Sequence, residues 1–272
     1  MFLPVAGRDH SQRTRDLSQR RCLGRCHPRT SLALGLVKPI TVPDVFRLGF
    51  GLRFGPSMNV SDPTGFYQLI ESRRDVRTFR TDAIPDDTLL RILGAAHHAP
   101  SVGFMQPWNF IVIRDTARKQ QVAASFAEEN ARAAQQYHGE RAALYGSLKL
   151  EGITEAPVNI CITCDRTRGG PHVLGRNTIV DTDIYSTCCA VENLWLAARA
   201  EGIGVGWVSI LTIEALRRIL AIPESVLPVA YLCVGYAREF LDQPELQRRG
   251  WADRLPLQEV IFNERWGETR AL

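Results

Sequence analysis

Ile184-Tyr-Ser-Thr-Cys-Cys-Ala-Val-Glu-Asn-Leu-Trp-Leu-Ala-Ala-Arg-Ala200 is the most apolar stretch of helical spacing in the chain. Cys188, Val191, Leu194, Trp195 and Ala198 fall along one face. The spacing predicts a central helix, stopped by Gly202 as the glycine just past its end. Val205-Gly-Trp-Val-Ser-Ile210 follows as a short strand. Outward from this pair, the order from residue 62 reads helix, helix, strand, long helical stretch, strand, helix, short strand, helix, strand and tail.

Asp62-Pro63 has the form of a helix start, with Pro at the first helical position. Asp87 to His98 carries Leu89, Leu90, Ile92, Leu93 and Ala96 on one broad face and is stopped by Pro100. Asn109–Arg114 and Pro157–Cys164 read as strands. Between them, Thr116 to about Leu150 is Ala-rich, in two helices broken near Gly139. The Gly-rich stretch Arg166–Asn177 is a long loop suited to a lid. Ile213–Leu220 predicts a helix and Val229–Tyr236 a buried strand. There is no internal repeat. The expectation is one α/β (α+β) domain over residues 58–272, with a mixed or antiparallel central sheet flanked by helices.

The net charge of +4 conceals an asymmetry. Residues 1–57 hold ten Lys and Arg against Asp9, Asp16 and Asp44, so the remainder carries 23 bases against 26 acids. A nucleic-acid partner would therefore rest on the extension alone, and none is expected. That extension is Arg-rich and without clear periodicity. Either Met58 is the true start and residues 1–57 are a mis-assigned upstream segment, which is the preferred reading, or they are a targeting or disordered tail. No apolar run approaches the roughly 18 residues that span a bilayer, so no membrane partner is expected. Seven cysteines, odd in number and poorly spaced, form no disulfide framework and point to a reducing cytoplasm.

Gly202-Ile-Gly204-Val-Gly206 follows a helix and lacks the third glycine of a dinucleotide fingerprint. His97 and His98 are adjacent on a helix and diverge by about 100°, without further ligands. They read as polar groups at a helix C-terminus, and no metal site is expected.

Three segments remain without a structural excuse. Arg73-Arg74-Asp75-Val76-Arg77 sets three guanidiniums around one acid, and Arg is the side chain for bidentate phosphate recognition. Ala99-Pro-Ser-Val-Gly-Phe-Met-Gln-Pro-Trp108 is an apolar loop. In it Ser101 and Gln106 supply hydrogen bonds, and Phe104, Met105 and Trp108 supply a flat wall. In Gly204-Val-Gly-Trp-Val-Ser209 the glycines permit close approach of backbone to a ligand. An anion clamp, an apolar wall and a glycine-lined strand suit a flat heterocycle with a phosphate tail, and FMN fits.

Glu71-Ser-Arg-Arg-Asp-Val-Arg77, Ala99-Pro-Ser with Gln106-Pro-Trp108, Gly202-Ile-Gly-Val-Gly-Trp207 and Val229-Ala-Tyr-Leu-Cys-Val-Gly-Tyr236 resemble the ordered motifs of the nitroreductase-like flavoproteins. The likeness runs from about residue 62 to 266. It implies an α/β homodimer with FMN at the subunit interface. It places Arg73, Arg74 and Arg77 on the phosphate and ribityl side, with Ser101 and Gln106 on the ring system. The backbone of Gly206, Trp207 and Ser209 would pass the flavin, and Arg254 would reach the phosphate.

Typical members have a small residue at Asp75 and Asn at Phe104. With Asp181-Thr-Asp-Ile-Tyr-Ser-Thr187 and Gly206-Trp-Val-Ser-Ile-Leu211, those departures resemble the BluB branch, the 5,6-dimethylbenzimidazole synthases. That resemblance implies that reduced FMN is consumed. Oxygen fragments it to 5,6-dimethylbenzimidazole, the lower ligand of cobalamin, and D-erythrose 4-phosphate, with a flavin reductase supplying the reduced FMN.

Fragmentation needs proton removal near the ribityl C1′ and a break in the sugar chain. A carboxylate held ionised by flanking guanidiniums suits that task, so Asp75 is the expected proton-transfer residue and Ser209 a second relay. The alternatives are an ion pair that only orients the arginines, and for Ser209 a hydroxyl that only satisfies backbone. The rival activity is an NAD(P)H-dependent nitro or quinone reductase that recycles FMN. A non-catalytic flavin-binding protein is the other class, and Asp75 would be superfluous there.

Overall fold

Val158-Asn-Ile-Cys-Ile-Thr-Cys-Asp165 alternates with the two-residue period of a strand: Val158, Ile160, Ile162 and Cys164 share an apolar face, Asn159, Cys161 and Thr163 share the other, and both faces are buried. The computed structural model describes residues 63–269, and the readings of residues 1–57 and Asp62 lie outside them. The elements are α1 (Thr64–Ser72), α2 (Asp86–His97), β1 (Trp108–Ile113), α3 (Thr116–Ala134), α4 (Gly139–Ser147), β2 (Val158–Asp165), α5 (Thr182–Ala200), β3 (Ile203–Val208), α6 (Ile213–Leu220), β4 (Val226–Tyr236) and α7 (Glu245–Arg248).

The strands form one sheet in the order β1-β2-β4-β3, antiparallel at every pairing. Among the described residues the sheet is mixed only at a single bridge, where Asp75 lies parallel to Val205 at the β3 edge. Val158, Ile160 and Ile162 of β2 pack with Leu232 and Val234 of β4 under α2 and α5. Cys161, Tyr231 and Cys233 point to the opposite face, where Val122 and Phe126 of α3 and Leu216 of α6 cover them. Burying a Leu, Ile or Val side chain contributes about 1.5–3 kcal/mol, so the two layers together outweigh any single polar contact below.

α5 is the central helix the sequence predicts. Ser186, Ala190, Leu194 and Ala198 recur every four residues, with Thr187, Val191 and Trp195 beside them, and all are buried. Cys188 departs from the predicted face. It is exposed with Cys189, on the side of the helix turned from the sheet. Glu201 caps the helix, and Gly202 follows at φ +73°, the left-handed conformation expected of it. Phe66, Tyr67 and Ile70 of α1 are exposed, so its apolar face is not buried within the chain. No helix among the described residues is long and apolar enough to cross a membrane.

Candidate active site

α1 ends at Ser72, and Arg73 turns the chain to extended backbone at ψ 135°. The arginine run therefore lies on the strand-like segment after the helix, not on the helix itself. Two residues of α5 hold the turn. Trp195 Nε1 donates to the Arg74 carbonyl at 3.1 Å, and Arg199 Nε donates to the Ser72 carbonyl at 3.2 Å. The chain then crosses the β3 edge, where the Val76 N–H donates to the Val205 carbonyl at 2.9 Å.

That crossing explains the glycines. A Cβ on Gly206 would stand 2.0 Å from the Val76 carbonyl oxygen, and one on Gly204 would meet the Val76 side chain at 2.9 Å. Both glycines make room for residue 76 of the same chain, not for a ligand as the sequence suggested.

Asp75 is held at three points by main chain and cation. Its Oδ1 accepts the Trp207 N–H at 2.8 Å, its Oδ2 pairs with the Arg77 guanidinium, and its own backbone bridges to Val205. Burial pushes the carboxyl above the usual carboxylate range. Arg77, the Trp207 N–H and Arg73 oppose that shift without cancelling it. The side chain nonetheless keeps 40% of its accessibility, because the surrounding protein leaves one side open. The direction of that shift runs against the expectation of an acid held firmly ionised, because desolvation outweighs the guanidiniums.

The three arginines divide their work. Arg74 is committed to carbonyls, donating through Nε to Leu241 at 3.0 Å, and also to Glu71, Arg73 and Asp242. It ties the end of α1 to the chain after β4, and burial followed by the nearby Arg73 and Arg254 charges lowers its pKa. Arg77 serves Asp75 and the Trp207 carbonyl at 2.8 Å, while its Nη1 is buried without a partner among the described residues. Arg73 lies over the Trp195 ring at 4.8 Å, with Glu192 at 3.7 Å in a partly exposed pair. Such pairs hold little energy, so Arg73 is free to turn to a ligand.

Arg73, Arg74, Asp75, Arg77 and Arg254 line one cleft of about 210 Å³. Arg254 makes no hydrogen bond or ion pair among the described residues. The other walls are Leu148, Lys149 and Leu150, just past α4, and Pro244, Glu245 and Leu246 at α7. Sequence reasoning missed these six. Lys149 and Glu245 were the only chemical signals, and they pair with Glu155 and Arg249.

Ser101, Gln106 and Ser209 do not line this cleft. The Ser101 Oγ accepts the Gln106 N–H at 3.1 Å and closes the 101–106 loop on itself. Gly103, Phe104 and Gln106 all have positive φ, at 58°, 52° and 46°. For the latter two this is strain of about 1–3 kcal/mol each. Met105 and Trp108 are buried in the core, and the Trp108 indole donates to His97 Nδ1 at 3.1 Å. Of the expected wall only Phe104 is exposed. The 166–177 loop is anchored: Arg168 donates to the carbonyls of Gln106 at 2.8 Å and Trp108 at 2.9 Å. Trp207 contributes N–H and carbonyl to Asp75 and Arg77, with its ring 6.4 Å from that of Trp195. Ser209, just past β3, is exposed in a separate groove with Glu129, Arg132 and Gln136.

The model of the Nitroreductase family matches residues 70–236. The chain is 43% identical over 205 residues to a 5,6-dimethylbenzimidazole synthase of Rhodospirillum rubrum, covering 75% of this chain and 97% of that one. A 5,6-dimethylbenzimidazole synthase of Rhodobacter capsulatus is 40% identical over 189 residues, covering 70% and 91%. Among solved structures, an oxidized iodotyrosine deiodinase bound to FMN and 3-iodo-L-tyrosine superposes with a TM-score of 0.57. It is 21% identical, over 73% of this chain and 98% of that one. A BluB-like flavoprotein from Clostridium difficile 630 gives 0.56 at 18% identity, over 74% and 99%. These two share the fold.

Proposed function

The chain belongs to the nitroreductase family, and within it we propose that it is a 5,6-dimethylbenzimidazole synthase, which cleaves reduced FMN with oxygen to 5,6-dimethylbenzimidazole and D-erythrose 4-phosphate. The observation that carries this reading is an acid, Asp75, fixed inside a cationic cleft where phosphate binding alone has no use for one. The 43% identity to a relative of that name, over nearly its whole length, supports it.

FMN fits the residues present. Arg254 and Arg73 have guanidinium donors to spare, the buried Nη1 of Arg77 lacks an acceptor, and the phosphate and ribityl hydroxyls are acceptors. When bound, FMN supplies the bonds that are cut and the electrons that reduce oxygen. The chain's own residues hold the phosphate end and shield the ribityl chain. Asp75, with a raised pKa, takes a proton near the ribityl C1′. Ser209 serves as a second relay, reached from outside the cleft.

A cleft of about 210 Å³ is below the roughly 300–1,000 Å³ of pockets that enclose a whole ligand. We assign it to the phosphate end and the ring side, with Ser101 and Gln106, to a surface completed by a second copy. The exposed Phe66, Tyr67 and Ile70 of α1 give such a homodimer an apolar face. A flavin reductase in the reducing cytoplasm supplies the reduced FMN, and the five described cysteines are all free.

The test supplies purified protein with chemically reduced FMN and admits oxygen without NAD(P)H. Mass spectrometry should find 5,6-dimethylbenzimidazole. Recovery of intact oxidised FMN as the sole flavin product would reject the reading and favour the reductase. Ser209→Ala in the same assay should bind FMN and lose product, and full activity there removes Ser209 from the reaction.

A further inference from the structure

Arg254 lies in the cleft on a segment that pairs with no strand, eighteen residues past the end of β4. A cation on an untethered segment costs conformational entropy each time it is ordered on a ligand. The segment is held at two places. At one end Arg74 grips the carbonyls of Leu241 and Asp242. At the other, Trp251 is locked to the α3–α4 hairpin. The Arg141 guanidinium stacks on the Trp251 ring at 3.6 Å and donates to its carbonyl at 3.0 Å. Tyr137 meets the same ring edge-on at 5.4 Å and stacks on Tyr145 at 4.7 Å, and the Tyr145 hydroxyl donates to Asn130 at 2.7 Å. The Trp251 N–H turns back to the Leu246 carbonyl at 2.8 Å.

Both free walls of the cleft converge on this cluster. Tyr145 stands three residues before Leu148, which opens the 148–150 wall, and Trp251 stands three residues before Arg254. We propose that Trp251 is a positioning residue for Arg254, and that the Tyr137–Tyr145–Arg141 cluster sets the cleft's selectivity for a phosphorylated flavin by fixing that cation. This rests on the reading of FMN as the substrate.

The measurement is the affinity of the full chain for oxidised FMN and for riboflavin, which lacks the phosphate, followed by flavin fluorescence. Wild type should prefer FMN. Trp251→Ala and Arg254→Ala should each lose about tenfold or more for FMN, with riboflavin nearly unchanged, since one charge-assisted contact is at stake. The double variant should be no weaker than Arg254→Ala alone, and Trp251→Phe should recover much of the loss. Arg141→Gln changes an exposed side chain and tests the same link if Trp251→Ala does not fold; its FMN preference should fall several-fold. Additive losses in the double variant, equal losses for both flavins, or an unchanged preference in Arg141→Gln would overturn the proposal. A wild-type protein indifferent to the phosphate would instead overturn the assignment of the cleft to FMN, and this proposal with it.

Discussion

The carbonyl oxygen of Val76 lies where a side chain on Gly206 would have to begin, 2.0 Å from the position of its Cβ. The edge of β3 and the segment bearing Asp75 and Arg77 are therefore in backbone contact, and the acid is placed by the sheet. Gly206→Ala should push that segment off the edge. The expected cost is about 1–3 kcal/mol of stability by overpacking, with a much larger loss of product formation. Thermal unfolding and the oxygen assay measure the two separately. A Gly206→Ala variant as active as wild type would show that the contact does not position the acid.

Asp75→Asn should retain FMN binding and lose product. Its stability also has a defined pH dependence. The folded-state pKa is raised by burial, so the folded chain holds this proton more tightly than the unfolded chain does. At a pH below the unfolded value both states are protonated and the group has no effect. As pH rises through the folded value the ionised, desolvated carboxylate destabilises the protein. The stability of Asp75→Asn relative to wild type should therefore climb upward from about pH 4 and then level off. Denaturant titrations of ligand-free protein at several pH values check this, and a difference that falls with pH would refute it.

Arg74 and Arg254 line the same cleft and should respond oppositely. Arg74→Ala leaves main-chain carbonyls of Glu71, Leu241 and Asp242 without their donor, so it should lower stability by about 1–3 kcal/mol. Arg254→Ala should leave the unfolding midpoint unchanged and weaken FMN. Calorimetry with and without FMN distinguishes the two, and an Arg74 variant of normal stability would return that residue to direct phosphate contact.

Arg168 pins the strained 103–106 turn by holding the carbonyls of Gln106 and Trp108 and the Asn109 side chain. Arg168→Met should release the turn. Limited proteolysis should then cut near Phe104 many times faster, with a fall in the unfolding temperature. Unchanged cleavage would mean that packing of Val173 and Leu174 against Gly103 suffices.

Much of the scaffold was legible in the chain. Helix α6 begins and ends where its spacing predicted, at Ile213 and Leu220, and the Ala-rich stretch does break near Gly139, which sits at φ +57°. Asp75 and the arginines were legible as one site because they are contiguous. What each arginine is bound to was not. The acceptors of Arg74 at residues 241 and 242 lie more than 160 positions away, and no local pattern marks a carbonyl as waiting for a donor. The loop 99–108 misled for a related reason. Met105 and Trp108 have the same composition as a ligand wall and as core, and only the fold decides that the core takes them. Ser209 was grouped with Asp75 by resemblance, and its separate groove follows from β3 ending at Val208.

Trp207 offers Asp75 its N–H and Arg77 its carbonyl, and neither contact uses the indole. The two contacts that hold the acid and its cation thus ask only for the backbone of residue 207, while its ring packs against Trp195 and the core. On the proposed function, a change of side chain there alters the surroundings of the flavin while Asp75 and Arg77 keep their backbone partners, and proline is the one replacement that removes the N–H.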